Sequence, residues 1–251
     1  RMFLVSIEVE GKKVFNEMTQ EMPNYQFHIT EGRQTQEILV GVKSNLTAFF
    51  TQRIEFRSKQ PSLRPGAFLT LTIAGENYSI LFLHLKSFPD PKGFGLRDDQ
   101  LDSLRRLKRT LDKAKGSAAN FIGIGDLNIM GLDYFPNSKD ISAEQELAKF
   151  DRDLGNRFTK MRRLTKTAKA TFWNGPGSKF PKSELDQVVV AKHMKFKNFS
   201  NSKIEISERS EGTSAEVDIR GWPEEPTDAT KGKWIENFSD HALLFMEVQK
   251  V

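Results

Sequence analysis

The stretch Asn120–Asn128, NFIGIGDLN, is an apolar run that stops abruptly at Asp126, Leu127 and Asn128. A short apolar run closed by polar residues reads as a buried strand, and in a strand residues i and i+2 point to the same side. Asp126 and Asn128 are therefore expected to converge beyond the strand end. What they meet there depends on the other strand ends of the chain.

Several other segments have the same form. FLVSIEVE, EILVGVK, ELDQVVVA and ALLFMEV read as strands, and AFLTLTIAGENYSILFLHLKS reads as a hairpin turning at AGEN. Helical spacing places Val14, Phe15, Met18 and Met22 on one stripe and Leu101, Leu104, Leu107 and Leu111 on another, the second closed by Gly116. SAEQELAKFDRDLGNRF is helical material, and Asn198 to Asn237 is a polar, irregular excursion. With no repeat and no linker, residues 1–251 are expected to form a single domain of mixed strands and helices.

Composition narrows the chemistry. At 251 residues with 37% hydrophobic and 28% charged, the chain has the balance of a globular domain able to bury a sizeable core. No apolar run approaches the ~18 residues of a membrane span. There is no cysteine, which excludes disulfides, thiol catalysis and thiolate metal sites, so any metal must sit on oxygen or imidazole. The net charge is +5, and Arg157, Lys160, Arg162, Arg163, Lys166, Lys169, Lys179 and Lys182 fall in one segment without an acidic residue. A one-signed segment is either a solvated face or a site for a polyanion such as nucleic acid. Compartment and oligomeric state are not indicated.

Four strand ends carry reactive groups: His84 with Lys86 in LHLKS, Asp126 and Asn128 in GDLN, Asp186 in ELDQVVV, and Asp240-His241 in SDHALLF. Taken singly each has an ordinary explanation, since Asp and Asn form turns and a lone histidine is usually packed or solvated. Together they supply three carboxylates, an asparagine and two of the four histidines, all flanking strands. Oxygen ligands beside neutral imidazole suit a hard divalent ion such as Mg²⁺ with an acid–base group next to it.

In this order and near these spacings, HLKS, GDLN, LDQVVV and SDH resemble the endonuclease/exonuclease/phosphatase superfamily, the deoxyribonuclease I-like group of metal-dependent phosphoesterases, over essentially the whole chain. GLRDDQLDSLRRL also resembles the family's helix after its first catalytic histidine. The resemblance implies a four-layer α/β sandwich, two packed mixed sheets flanked by helices. It implies His241 as general base or stabiliser of a phosphorane-like state, with Asp186 orienting it. Asp126 and Asn128 would position the attacking water and touch the scissile phosphate, and His84 would donate to a phosphate oxygen or stabilise the leaving group. The metal, Mg²⁺ with Mn²⁺ or Ca²⁺ as substitutes, would sit on Glu8 in VSIEVEG with Asp126, Asn128 and Asp240. Glu10 is the alternative to Glu8, because strand alternation puts both on one side.

Two departures stand out. Ile7 occupies a place where the family usually has glutamine, and the family's first strand, with its asparagine near the metal, is expected to precede Arg1. For substrate, the basic segment favours nucleic acid, DNA or RNA, with Lys86, Arg97, Trp173 and Asn174 as binding candidates. Phe172 and Trp173 in TFWNG read either as a stacking rim or as aromatics that pack a loop. The alternatives are a phosphoesterase acting on a phospholipid or a phosphorylated small molecule, as in sphingomyelinases and inositol-phosphate phosphatases, or a non-catalytic module on the same fold.

Overall fold

The computed structural model describes residues 3–33, 36–199 and 214–250. Contacts divide the chain into two compact units, 1–162 with 189–191, and 163–188 with 192–251.

The first unit opens with β1 (Phe3–Val9), α1 (Gly11–Glu21), β2 (Tyr25–Ile29) and β3 (Glu37–Lys43). The strands form an antiparallel sheet in the order β1-β3-β2. Central β3 is buried from Ile38 to Val42, which explains its unbroken apolar sequence. Val9, Phe27 and Leu39 form a cluster on which α1 lays Val14, Phe15, Met18 and Met22. The helical stripe in the sequence is thus the face that packs on the sheet.

Next come β4 (Thr47–Arg53), β5 (Gly66–Ile73), β6 (Glu76–His84), α2 (Pro91–Lys115), β7 (Asn120–Asp126), α3 (Ala143–Leu154) and β8 (Met161–Arg163). With β9 (Asp186–Ala191) they make a six-stranded mixed sheet in the order β4-β5-β6-β7-β9-β8. The β5–β6 pair is the expected hairpin, and β6 then runs parallel to β7 across the α2 crossover. The two sheets of this unit face each other, with Phe3 edge-on to Phe82 at 5.8 Å and His28 stacked on Phe50 at 5.0 Å. On the far side of β7 the helix comes close. A Cβ at Gly123 would lie 3.2 Å from Leu104 Cδ1 of α2 and 2.9 Å from Val189 Cγ2 of β9. Burial of Leu101, Leu104 and Leu107 seals this face at about 1.5–3 kcal/mol each. Helix, sheet, sheet and helix are the four layers the resemblance implied.

Helix starts are set locally. Asp90 caps α2 by accepting from Lys92 N at 3.0 Å and Gly93 N at 3.1 Å, with Pro91 at the first helical position. Ser142 and Gln145 form a reciprocal capping box at α3.

The second unit takes the first half of β9, then β10 (Lys195–Phe196), β11 (Asp218–Arg220), α4 (Asp228–Asn237), β12 (Leu243–Phe245) and β13 (Val248–Lys250). β11 pairs with β12 and β10 with β13. The stretch expected to be irregular up to Asn237 therefore contains a strand and a helix in its second half, and its residues 200–213 lie outside the described residues. The final strand expected as one run is split into β12 and β13.

Candidate active site

In the first unit, parallel pairing of β6 and β7 sets His84 opposite Asp126 at the strand ends. His84 Nε2 lies 3.5 Å from Asp126 Oδ2 and 3.5 Å from Glu8 Oε1. His84, Asp126 and Asn128 are buried, whereas the Glu8 side chain is 39% exposed. Asp126 and Asn128 do meet, and they meet each other: Asp126 Oδ1 accepts from Asn128 N at 2.8 Å and Oδ2 from Asn128 Nδ2 at 2.7 Å. Asn128 Nδ2 also donates to Leu85 O at 3.2 Å, tying this tip to the one that carries His84.

Two side chains reach this cluster through strained backbone. Glu8 has φ 63° and Asn128 φ 50°, both in the left-handed region. At Glu8 the β1–β3 register is interrupted between Ser6 and Val9, which breaks the alternation that made Glu8 and Glu10 equivalent in sequence. Glu8 is the glutamate beside His84, and Glu10 is exposed at the start of α1.

A cation that the sequence reading missed belongs here. Arg64 donates to Gln36 Oε1 through Nη2. Desolvation pulls its guanidinium below the usual arginine value, and the charges of Glu8, Asp126 and Glu37 act the other way. The only sequence signal was an arginine before Pro65, the residue that precedes β5. Lys86 stands with its Nζ 4.6 Å above the Phe88 ring, and partial burial lowers its pKa.

Arg97 is not a surface group awaiting a phosphate. It is fully buried, and its guanidinium bonds Glu146 Oε1 at 2.8 Å and Oε2 at 2.9 Å, Gly131 O at 2.9 Å, Phe88 O at 3.0 Å and Lys86 O at 3.3 Å. It staples the loop after His84 to the loop after Asn128. Its whole donor fork is used.

In the second unit, His241 Nδ1 lies 2.8 Å from Asp186 Oδ2, with the two side chains 15% and 6% exposed. A carboxylate at Nδ1 holds the proton there and leaves Nε2 as the acceptor. The segment Thr171–Trp173 scaffolds this pair. Thr171 Oγ1 accepts from Asp186 N at 3.0 Å, Thr171 O accepts from Ala242 N at 2.7 Å, and Phe172 bridges His241 with rings 5.0 Å apart. Asp240 O accepts from Trp173 N at 3.0 Å and Trp222 Nε1 at 3.1 Å. Trp173 itself is 7% exposed and packs on Trp222, so the loop-packing alternative holds for it and the stacking rim does not. Asn174, next in the chain, is exposed. Thr171 was also missed, because a lone threonine before two aromatics carries no signal of its own.

Among the described residues, no three His, Asp or Glu side chains stand close enough together to enclose a metal by themselves. Mg²⁺ does not require that, since it keeps several waters and commonly uses one or two carboxylates plus substrate oxygens. The half-exposed Glu8 carboxylate beside buried Asp126 fits that donor set.

No family model and no curated protein sequence matches the chain. The layers are nevertheless those of the deoxyribonuclease I-like fold, which the chain shares with solved structures of the endonuclease/exonuclease/phosphatase superfamily. Among solved structures, an endonuclease/exonuclease/phosphatase family protein from Bacteroides thetaiotaomicron is 13% identical over 98% of this chain and 82% of its own, with a TM-score of 0.52. TDP2 from D. rerio, in complex with a single-strand DNA product, is 13% identical over 99% of this chain and 86% of its own, with a TM-score of 0.58. A mannosyl-6-phosphatase from the same Bacteroides species is 14% identical over 93% and 80%, with a TM-score of 0.52.

Proposed function

We propose that this protein is a divalent-metal-dependent phosphoesterase that hydrolyses phosphodiester bonds, with nucleic acid as its substrate. The observation that carries this reading is the shielded Asp186–His241 pair, a carboxylate-oriented imidazole at the end of an apolar strand. An imidazole oriented by a carboxylate in this way is suited to general acid–base work. His241 Nε2 takes the proton of the attacking water or donates to the phosphorane-like state. Asp126 and Asn128 position that water and the scissile phosphate, and His84 donates to a phosphate oxygen or the leaving group. Glu8 is the first ligand for Mg²⁺, with Asp126, Asn128 and Asp240 as further candidates. When bound, the ion supplies positive charge for the phosphate oxygens. Lys86 and Asn174 remain candidates for substrate contact.

The single-strand DNA held by the D. rerio relative supports nucleic acid over other phosphoesters. A second reading, hydrolysis of a phosphorylated sugar or lipid, has support from the mannosyl-6-phosphatase with the same fold. Nicking of supercoiled plasmid with Mg²⁺ separates the two. Turnover is expected to fall by two or more orders of magnitude in His241→Ala and in Asp126→Ala, and to vanish in EDTA. Near-full activity in either variant would sink the assignment. A folded protein that leaves DNA and RNA intact but cleaves a phosphomonoester would favour the second reading.

A further inference from the structure

Lys166 lies outside every role assigned above, yet it is among the most constrained cations in the chain. Its side chain is 3% exposed. Its ammonium faces Glu184 Oε1 at 2.9 Å, Asp186 O at 2.8 Å and Gln187 Oε1 at 3.1 Å. An ammonium has three donors and no acceptor, so the cage matches the charged form group for group. All three acceptors belong to the four-residue segment Glu184–Gln187, whose Asp186 carboxylate holds His241. The backbone of Asp186 is thus fastened on both sides, its N–H by Thr171 Oγ1 and its carbonyl by Lys166.

We propose that Lys166 is a positioning residue for the Asp186–His241 pair, and that its loss of a proton sets the alkaline limit of activity. This rests on the reading of that pair as catalytic. A neutral amine has two donors and a lone pair, so one of the three acceptors would face electrons in place of a hydrogen. The segment would loosen at the residue that orients the imidazole.

Among the described residues, the other charges around Lys166 are few. Glu184 is shared with Arg163, whose Nη1 lies 3.0 Å from the same Oε1 and 3.3 Å from Gln187 Oε1. Asp186 is engaged with His241. On the neighbouring strand, which Lys166 meets by a bridge at Val217, Asp218 is paired with Arg220 at 2.8 Å. Burial pulls Lys166 down to about 8, with Arg163 adding to the fall and Glu184 and Asp186 opposing it. The lysine therefore changes charge within the range an enzyme assay covers.

The test begins with the unaltered protein. The ring signals of His241, assigned by their absence in His241→Ala, are followed by NMR from pH 6 to pH 10; no substrate is required. A step near pH 8 that follows Lys166 is expected in addition to any protonation of the ring itself. Hydrolysis of bis(p-nitrophenyl) phosphate with Mg²⁺ should show kcat falling about tenfold between pH 7 and pH 9. Glu184→Gln keeps an acceptor and the volume but removes the charge that supports the ammonium. It should move both the second NMR step and the kinetic limb to lower pH by about one unit. If the histidine signals titrate in one step and the limb stays put in Glu184→Gln, Lys166 has only a structural role. If His241→Ala hydrolyses the ester at the normal rate, the catalytic reading of the pair fails instead. Should Glu184→Gln not fold, the wild-type titration still decides, since a single His241 step overturns the proposal alone.

Discussion

Arg97 shows how a charge can serve a site without touching what the site binds. Its guanidinium closes on Glu146, and Glu146 Oε2 in turn accepts from Gly131 N at 2.7 Å. Removing the cation strands a buried carboxylate, a situation that typically costs about 3–5 kcal/mol. Arg97→Leu is expected to lose that much in urea unfolding, with the loops after His84 and Asn128 loosened and turnover reduced. A loss under about 1 kcal/mol, the scale of an exposed ion pair, would mean the staple is dispensable. Sequence could not separate Arg97 from a phosphate-binding arginine, because it follows the HLKS motif and stands in the early turns of α2. What separates them is the company of Glu146, 49 residues away in the chain. Trp173 was ambiguous for the same reason: its partner, Trp222, is distant in sequence.

At the scale of elements, the end of β7 depends on a glycine that no side chain could replace. Gly125 has φ 142°, and a Cβ there would lie 1.9 Å from Leu83 O. Gly116, closing α2 at φ 74°, has open space where its Cβ would go. Both are backbone-strained for alanine, but only one also collides. Gly116→Ala should cost about 1–2 kcal/mol, whereas Gly125→Ala should exceed about 4 kcal/mol, the exceptional range for a single change, and displace Asp126. Thermal unfolding of the two variants side by side checks this; equal losses would mean β7 yields at its end. Elements with strong periodicity were legible: α1, the Leu stripe of α2, the β5–β6 hairpin and apolar β9. β2 and β4 were not, because their exposed and half-buried residues alternate too weakly to stand apart from turn material. α2 begins at Pro91, inside a Pro- and Gly-rich stretch that reads as loop until the Asp90 cap is recognised.

For the whole molecule, the order of four short motifs carried the fold, since each strand tip was uninformative alone and their succession along the chain was not. Charge was less faithful. Of the eight basic residues between 157 and 182, Arg163 and Lys166 bond Glu184, and Lys182 reaches both Asp228 and the Trp173 ring. Arg157, Lys160, Lys169 and Lys179 keep exposed side chains. Four phosphate contacts on a single strand predict a slope of about −3 in log K against log salt, against almost −6 if all eight took part. Fluorescence anisotropy with a labelled oligonucleotide across 50–300 mM salt (about a Debye length of 14 to 6 Å) measures it, and a flat response would remove nucleic acid as the ligand.

The twisted backbone at Glu8 and Asn128 has a consequence for descent as well as for chemistry. Left-handed positions are where glycine rests comfortably, so a lineage released from the proposed reaction and selected only to persist would find backbone relief by placing glycine at 8 and 128. At 8 the exchange would ease the backbone and remove a carboxylate, whereas at 128 it would also give up the bonds from Asn128 Nδ2 to Asp126 Oδ2 and Leu85 O. Glycines at these two places in an otherwise similar chain would mark a descendant that lacks the groups proposed to hold the metal and position the water.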